Sequence, residues 1–129
     1  MSLSERVKSL AQRTGDLFAW LMPTDQGIQL DPLTGFTVIE QKTTREGNRV
    51  TVEAMFSGTF SAGAETYPAA VRAGLRPARY VAGAAVVHSD TNQLVGNASS
   101  YCFTNGTVAV AVGTRAGTRA RVSLTYYLP

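Results

Sequence analysis

The strict alternation of apolar and polar side chains at its C-terminal end most constrains the fold of this 129-residue chain. Successive side chains of a β-strand point to opposite faces, so a period of two indicates a strand with one buried face. Such half-buried strands are typical of antiparallel sheets. The inward set is Val122, Leu124, Tyr126 and Leu128, and the outward set is Arg119, Arg121, Ser123, Thr125 and Tyr127.

The dipeptide Asn105-Gly106 predicts a hairpin within residues 99–112. Both central residues of a type I′ turn need positive φ, which this dipeptide tolerates well. A two-residue loop fixes the register, and that register turns Cys102 away from the core row. The same register places two cross-strand pairs on the side that faces the core: Phe103 with Val108 and Tyr101 with Val110.

The remaining part of the C-terminal region also indicates antiparallel β-structure. Val38 and Ile39 lead to a Gly-containing loop at residues 45–48, and apolar residues alternate with others after it, which predicts a second hairpin. Residues 57–79 show little periodicity and predict a long connection that crosses between sheets. The expected fold class is therefore mainly β, with an antiparallel, jelly-roll-like β-sandwich as a head domain over residues 36–129.

The first 22 residues predict a helical coiled-coil stem that Pro23 ends. Ser2 or Ser4 can cap the helix, and Glu5 lies in its first turn, where the helix dipole favours an acid. A helix that packs on its own domain is the alternative interpretation. Residues 23–35 are interpreted as a linker that docks. The residues of the seam, spaced by four and three, are Leu3, Val7, Leu10, Thr14, Leu17 and Leu21.

Charge is unevenly distributed along the chain. Residues 1–70 carry a balance of −2 (six basic, eight acidic) and residues 71–129 one of +5 (six basic, one acidic), which sum to the net +3. The basic half favours an anionic partner, although a solvated surface would produce the same pattern. We expect no export signal, because charged residues occupy the N-terminus, and no membrane insertion, because no apolar run is long enough to span.

No catalytic or metal-binding set is evident, and we expect a non-enzymatic protein without cofactor or metal. One Cys and one His cannot supply a zinc site of Cys and His ligands. His88, Ser89 and Asp90 are neighbours in sequence, whereas a catalytic triad needs groups that converge from different segments. The carboxylates are scattered and suggest neither calcium binding nor acid–base catalysis.

A basic strip with an aromatic end is the candidate ligand-binding site. Arg119 and Arg121 are predicted to stand on one face of the last strand, roughly 6.6–7 Å apart, with Tyr127 further along. Arg115 lies in the loop before that strand. Arginine pairs with phosphate or carboxylate, and a tyrosine ring stacks on a sugar. The alternative is that these arginines pair with acids of a neighbouring subunit, for example Glu40 or Glu53.

Two stretches resemble proteins of tailed bacteriophages. The opening LSERVKSLAQRTGDLFAWL resembles the start of small tail and minor tail proteins, with their R-V-x-x-L-A-Q helix. The C-terminal stretch resembles the β-rich heads of tail fibres and receptor-binding proteins. The motifs that carry this second resemblance are Gly74-Leu-Arg76-Pro77, Asn105-Gly-Thr-Val108 and Val122-Ser-Leu124 through Tyr127-Leu-Pro129.

The resemblance implies a phage virion protein on the tail or capsid surface. It implies a homotrimer with a helical stem and a head that binds host-surface carbohydrate or an anionic cell-wall polymer, beside contacts with other virion proteins. A trimeric capsid fibre or decoration protein that binds only virion components is the alternative. We expect no nucleic-acid partner, because exposed aromatic residues interleaved with lysine are not evident in the sequence.

Overall fold

The computed structural model of the protein describes residues 2–6 and 23–129, and the latter range folds into antiparallel β-structure. All nine strands of this range belong to one sheet, in the order β1-β3-β4-β9-β6-β7-β8-β5-β2. The strands are β1 (Thr24–Asp25), β2 (Leu30–Pro32), β3 (Thr37–Glu46), β4 (Arg49–Phe60), β5 (Glu65–Val71), β6 (Val81–His88), β7 (Leu94–Cys102), β8 (Thr107–Val112) and β9 (Gly117–Tyr127).

The sheet curls until its two edges meet. β1 and β2 form opposite edges, yet the chain passes from Asp25 to Leu30 in five steps, which span at most about 18 Å. A flat sheet of this order would be roughly 38 Å wide at about 4.8 Å between strands. The side chain of Gln41 on β3 helps to close the gap, because its Oε1 accepts the amides of Gln29 at 3.2 Å and Leu30 at 3.1 Å.

Residues on the concave side of the curled sheet form one hydrophobic core. β9 contributes Val122, Leu124 and Tyr126 of the predicted inward set, and Leu128 packs half-buried just beyond its end. The outward set stays exposed or half-buried, so the period-two prediction is confirmed for this strand. β4 packs beside it with Val50, Val52 and Phe56, all fully buried. The prediction of a mainly β, antiparallel fold is confirmed. The jelly-roll sandwich is not, because a single curled sheet encloses the core where two packed sheets were expected.

Two segments without periodicity nonetheless contribute strands. Residues 23–35, interpreted as a docking linker, provide both edge strands, and Leu30 is 1% exposed in the core. The long connection predicted for residues 57–79 contains β5, so that prediction is wrong. Pro68 argues against a strand in the sequence, because proline has no amide hydrogen to donate to a ladder. In the structure it lies at a register shift between Thr66 and Ala69, where β5 tolerates it.

The hairpin at Asn105-Gly106 exists, but its predicted register is wrong. The Phe103 amide donates to the Thr107 carbonyl, and the Gly106 amide donates to the Phe103 carbonyl. Three residues therefore form the loop, and only Gly106, at φ +90°, has a positive φ there. This is the turn with a Gly bulge that also suits an Asn-Gly pair.

The one-residue difference in loop length exchanges the two faces of β7. Cys102 lies opposite Val108 and is fully buried in the core, which corrects the prediction that it faces away. Its burial raises the pKa of the thiol to about 12. Tyr101 and Phe103, expected inside, point to the outer face of the sheet and are half-buried there.

The described part of the N-terminus begins a helix. Residues 3–6 are helical and exposed, with Leu3 at 78%. The Ser2 hydroxyl accepts the Glu5 amide at 3.3 Å, and the Glu5 carboxylate accepts the Ser2 amide at 3.1 Å. These reciprocal bonds form a capping box, so Ser2 is the cap of the two serines that the sequence offers. The other seam residues Val7, Leu10, Thr14, Leu17 and Leu21 lie outside the described residues.

Candidate functional site

A groove opens on the outer surface where β6 and β9 separate. The ladder between these strands runs from His88–Arg119 to Ala84–Ser123 and ends there. Beyond it the strands diverge around a groove of about 410 Å³, a volume typical of small-molecule sites. Its walls are residues 78–81, which lead into β6, and residues 125–127 at the end of β9.

Both ends of the groove are defined by close backbone contacts. At the ladder end, Gly83 allows the strands to meet, since a Cβ there would lie 2.3 Å from the Ser123 carbonyl oxygen. At the other end, the Ala78 amide donates to the Tyr127 carbonyl at 3.0 Å. The facing backbone edges between these points are not joined by the β6–β9 ladder. The backbone amide and carbonyl groups on these edges can therefore form hydrogen bonds with a ligand.

Two exposed tyrosine rings and one arginine give the groove its chemistry. Tyr80 is 55% exposed and Tyr127 66% exposed, from opposite walls. Arg79 also lines the groove, is exposed, and forms no ion pair among the described residues. Aromatic faces with a few polar groups can hold a sugar ring, and a guanidinium can pair with an anion.

A buried hydrogen bond of Tyr126 holds one wall of the groove in place. Its hydroxyl donates to the Leu75 carbonyl, and the residue is 4% exposed. Burial, with a smaller contribution from Cys102, raises the pKa of Tyr126, so the hydroxyl keeps its proton and the bond. The segment before β6 is thereby held against the end of β9.

Tyr80 belongs to an aromatic cluster on the outer face. Its ring stacks on Tyr101 with 5.5 Å between centroids, and it contacts Phe103 at 5.4 Å in a tilted arrangement. Partial desolvation raises the pKa of the Tyr80 phenol, and the nearby Tyr101 and Glu65 add smaller contributions in the same direction. The raised pKa favours the neutral phenol. A neutral ring presents an uncharged face to a ligand.

The predicted arginine strip follows one face of β9, but partners within the chain engage its guanidinium groups. Arg119 donates to the Asn92 side chain at 2.7 Å. Arg121 lies 3.4 Å from the carboxylate of Glu40. The sequence suggested Glu40 as a partner from a neighbouring subunit, but this ion pair forms within one chain. Exposed pairs of this kind contribute little stability.

Of the four predicted ligand residues, the structure brings only Tyr127 to the groove. Arg115 is exposed in the loop before β9, with its Cβ close to Gly96. Sequence reasoning missed Tyr80, Arg79 and the aromatic cluster. A signal was present, because the G-L-R-P-A-R-Y stretch puts arginine next to tyrosine, but the wrong hairpin register placed Tyr101 and Phe103 in the core.

Across residues 2–6 and 23–129, no group of three or more His, Cys, Asp and Glu side chains could hold a metal ion. Within the same residues, none of the helical structure is long and apolar enough to cross a membrane.

The fold is similar to the crystal structure of the receptor binding protein (gp15) of Listeria phage PSA. The TM-score is 0.63 with 15% sequence identity, and the match covers 97% of this chain and 77% of that chain. No family model and no curated protein matches this sequence. The two proteins therefore share a fold of curled antiparallel strands.

Proposed function

We propose that this chain is a receptor-binding module of a bacteriophage tail, which attaches the virion to carbohydrate on the host surface. It acts by binding and catalyses no reaction. Its ligand is a host-surface carbohydrate or an anionic cell-wall polymer, and its site is the groove between β6 and β9. The shared fold with a phage receptor-binding protein and the resemblance of its terminal motifs support this proposal.

One observation carries the proposal: two exposed tyrosine rings and an arginine that forms no ion pair with any described residue line one open groove. Large exposed aromatic residues around a concavity mark interaction sites on soluble proteins. Tyr80 and Tyr127 can hold the apolar faces of a sugar ring between the walls. Arg79 adds a cation that suits phosphate or carboxylate groups.

Adsorption to bacterial cells tests the groove directly. The purified protein is incubated with a panel of candidate hosts, and its depletion from solution is measured for wild type and for Tyr80→Ala with Tyr127→Ala. We expect the double variant to lose at least about tenfold in affinity, because the stacking surfaces of both walls are removed. Its melting temperature should fall by no more than about 10 °C, because both side chains are more than half exposed and only the ring contacts of Tyr80 with Tyr101 and Phe103 are lost.

The matched comparison replaces Arg119 and Arg121 by serine. We expect a smaller loss of adsorption, because Asn92 and Glu40 already engage these guanidinium groups. If the arginine variant abolishes adsorption and the tyrosine variant does not, the site lies on the strip of Arg115, Arg119 and Arg121. If wild type binds no cell and instead binds virion proteins, the capsid fibre or decoration role is supported.

We also propose that the chain is a homotrimer whose stem residues meet on the three-fold axis. Replacing Leu10 by Asp would bury three charges in such a seam, at a cost of several kcal/mol per assembly. Light scattering should show dissociation of the variant. Gln12→Asp, outside the seam, should leave the mass unchanged. A wild-type protein that is monomeric at micromolar concentration contradicts this prediction.

A further inference from the structure

The ring of Tyr80 belongs to two surfaces at once. It lines the groove opposite Tyr127, and it also contacts the rings of Tyr101 and Phe103. The aromatic surface is therefore continuous from the groove to the cluster. A single sugar unit can occupy the groove, but it would leave Tyr101 and Phe103 uncovered.

We propose that the groove and the aromatic cluster of Tyr101 and Phe103 are two consecutive subsites for one chain-like ligand. The ligand is a negatively charged polysaccharide, with one sugar unit in the groove and the next on the cluster. This inference rests on the proposed function and defines its ligand as a polymer. Tyr80 lies between the two units and contacts both.

One basic side chain lines the groove, and another lies against the turn that follows the cluster residue Phe103. Arg79 lines the groove and is exposed. Arg76 is half-buried against the turn that follows Phe103: its Nε donates to the Val71 carbonyl, and a Cβ on Gly106 would lie 2.8 Å from it. An arginine in the groove and a second one at the turn beside the cluster suit a polymer that carries negative charge on successive repeats.

The adjoining surface favours a polysaccharide over a single-stranded nucleic acid. The arginines farther along this outer face, Arg119 and Arg121, are engaged by Asn92 and Glu40. The outward residues that directly adjoin the cluster are small, uncharged and exposed: Ala82, Ala84, Ser99 and Ser123. A nucleic acid carries a phosphate on every nucleotide and is bound along a positively charged track. Hydroxyl groups and small side chains leave room for sugar hydroxyls instead.

Fragments of different length test for two subsites. Wall polymer is released by mild acid from a bacterial strain that adsorbs the protein, and it is separated into single repeats and fragments of three or more repeats. Binding of each pool is measured by NMR titration. We expect wild type to bind the longer fragments at least about tenfold more tightly. Tyr101→Ala should lose this gain and bind single repeats as wild type does, whereas Tyr127→Ala should weaken both pools.

Matched variants and probes give the other outcomes. Tyr101→Phe keeps the stacked ring and should bind like wild type, which shows that a loss in Tyr101→Ala comes from the ring. Equal affinity of wild type for both pools, or an equal loss for both in Tyr101→Ala, overturns the second subsite while the proposed function stands. Tight, salt-sensitive binding of oligo-dT overturns the assignment of a polysaccharide as the ligand. Failure to adsorb to any strain overturns the proposed function itself.

Discussion

Replacing Gly106 by valine is expected to destabilise the protein by about 3 kcal/mol or more, a large share of the 5–15 kcal/mol typical of a domain. Gly106 has φ +90°, which a β-branched residue adopts only with strain. A Cβ would also lie 2.5 Å from the Val71 carbonyl oxygen, and the Val71 amide donates to the Gly106 carbonyl at 2.8 Å. Urea unfolding should show a lower midpoint.

Gly74→Val is the matched control for this prediction. Gly74 has a similar φ of +100°, but a Cβ there would meet nothing within 4 Å. Its substitution should therefore cost only the backbone strain, about 1–2 kcal/mol. Equal losses in the two variants would mean that Val71 and Arg76 make room for the added side chain at no cost.

Replacing Gly83 by valine is expected to cost about 3 kcal/mol and to weaken ligand binding as well. A Cβ at this position would lie 2.3 Å from the Ser123 carbonyl oxygen and 2.7 Å from Leu124 Cδ2. Because the nearest atom belongs to the backbone, β6 and β9 must separate to admit the side chain. Overpacking of this kind typically costs 1–3 kcal/mol and occasionally more. Thermal unfolding and adsorption to cells measure the two effects.

The adjacent Ala84 supplies the comparison. It lies on the same strand with its side chain exposed on the outer face, so Ala84→Val should change stability by less than about 0.5 kcal/mol. A Gly83→Val protein that unfolds at the wild-type temperature would show that the ladder end tolerates a side chain. The groove would then owe its shape to other contacts.

The polypeptide's local chemistry determined which face of β9 is buried and where the turns occur. Alternation with a period of two needs no knowledge of neighbouring strands, and the inward set of β9 followed from it. The capping box of Ser2 and Glu5 is also local, because its two bonds join residues three apart. The hairpin at Gly47 likewise follows from its own loop, in which Gly47 takes φ +61°.

Tertiary structure decided the register at Gly106, the single curled sheet and the groove. A two-residue loop and a three-residue loop both accept Asn-Gly, so the dipeptide fixes the place of the turn but not which faces meet. That choice depends on core packing around Cys102 and Val108, and it moved Tyr101 to the surface. The groove arises where β6 and β9, joined by the ladder up to Ser123, diverge. No local pattern records such a separation, because it depends on contacts between residues distant in the chain.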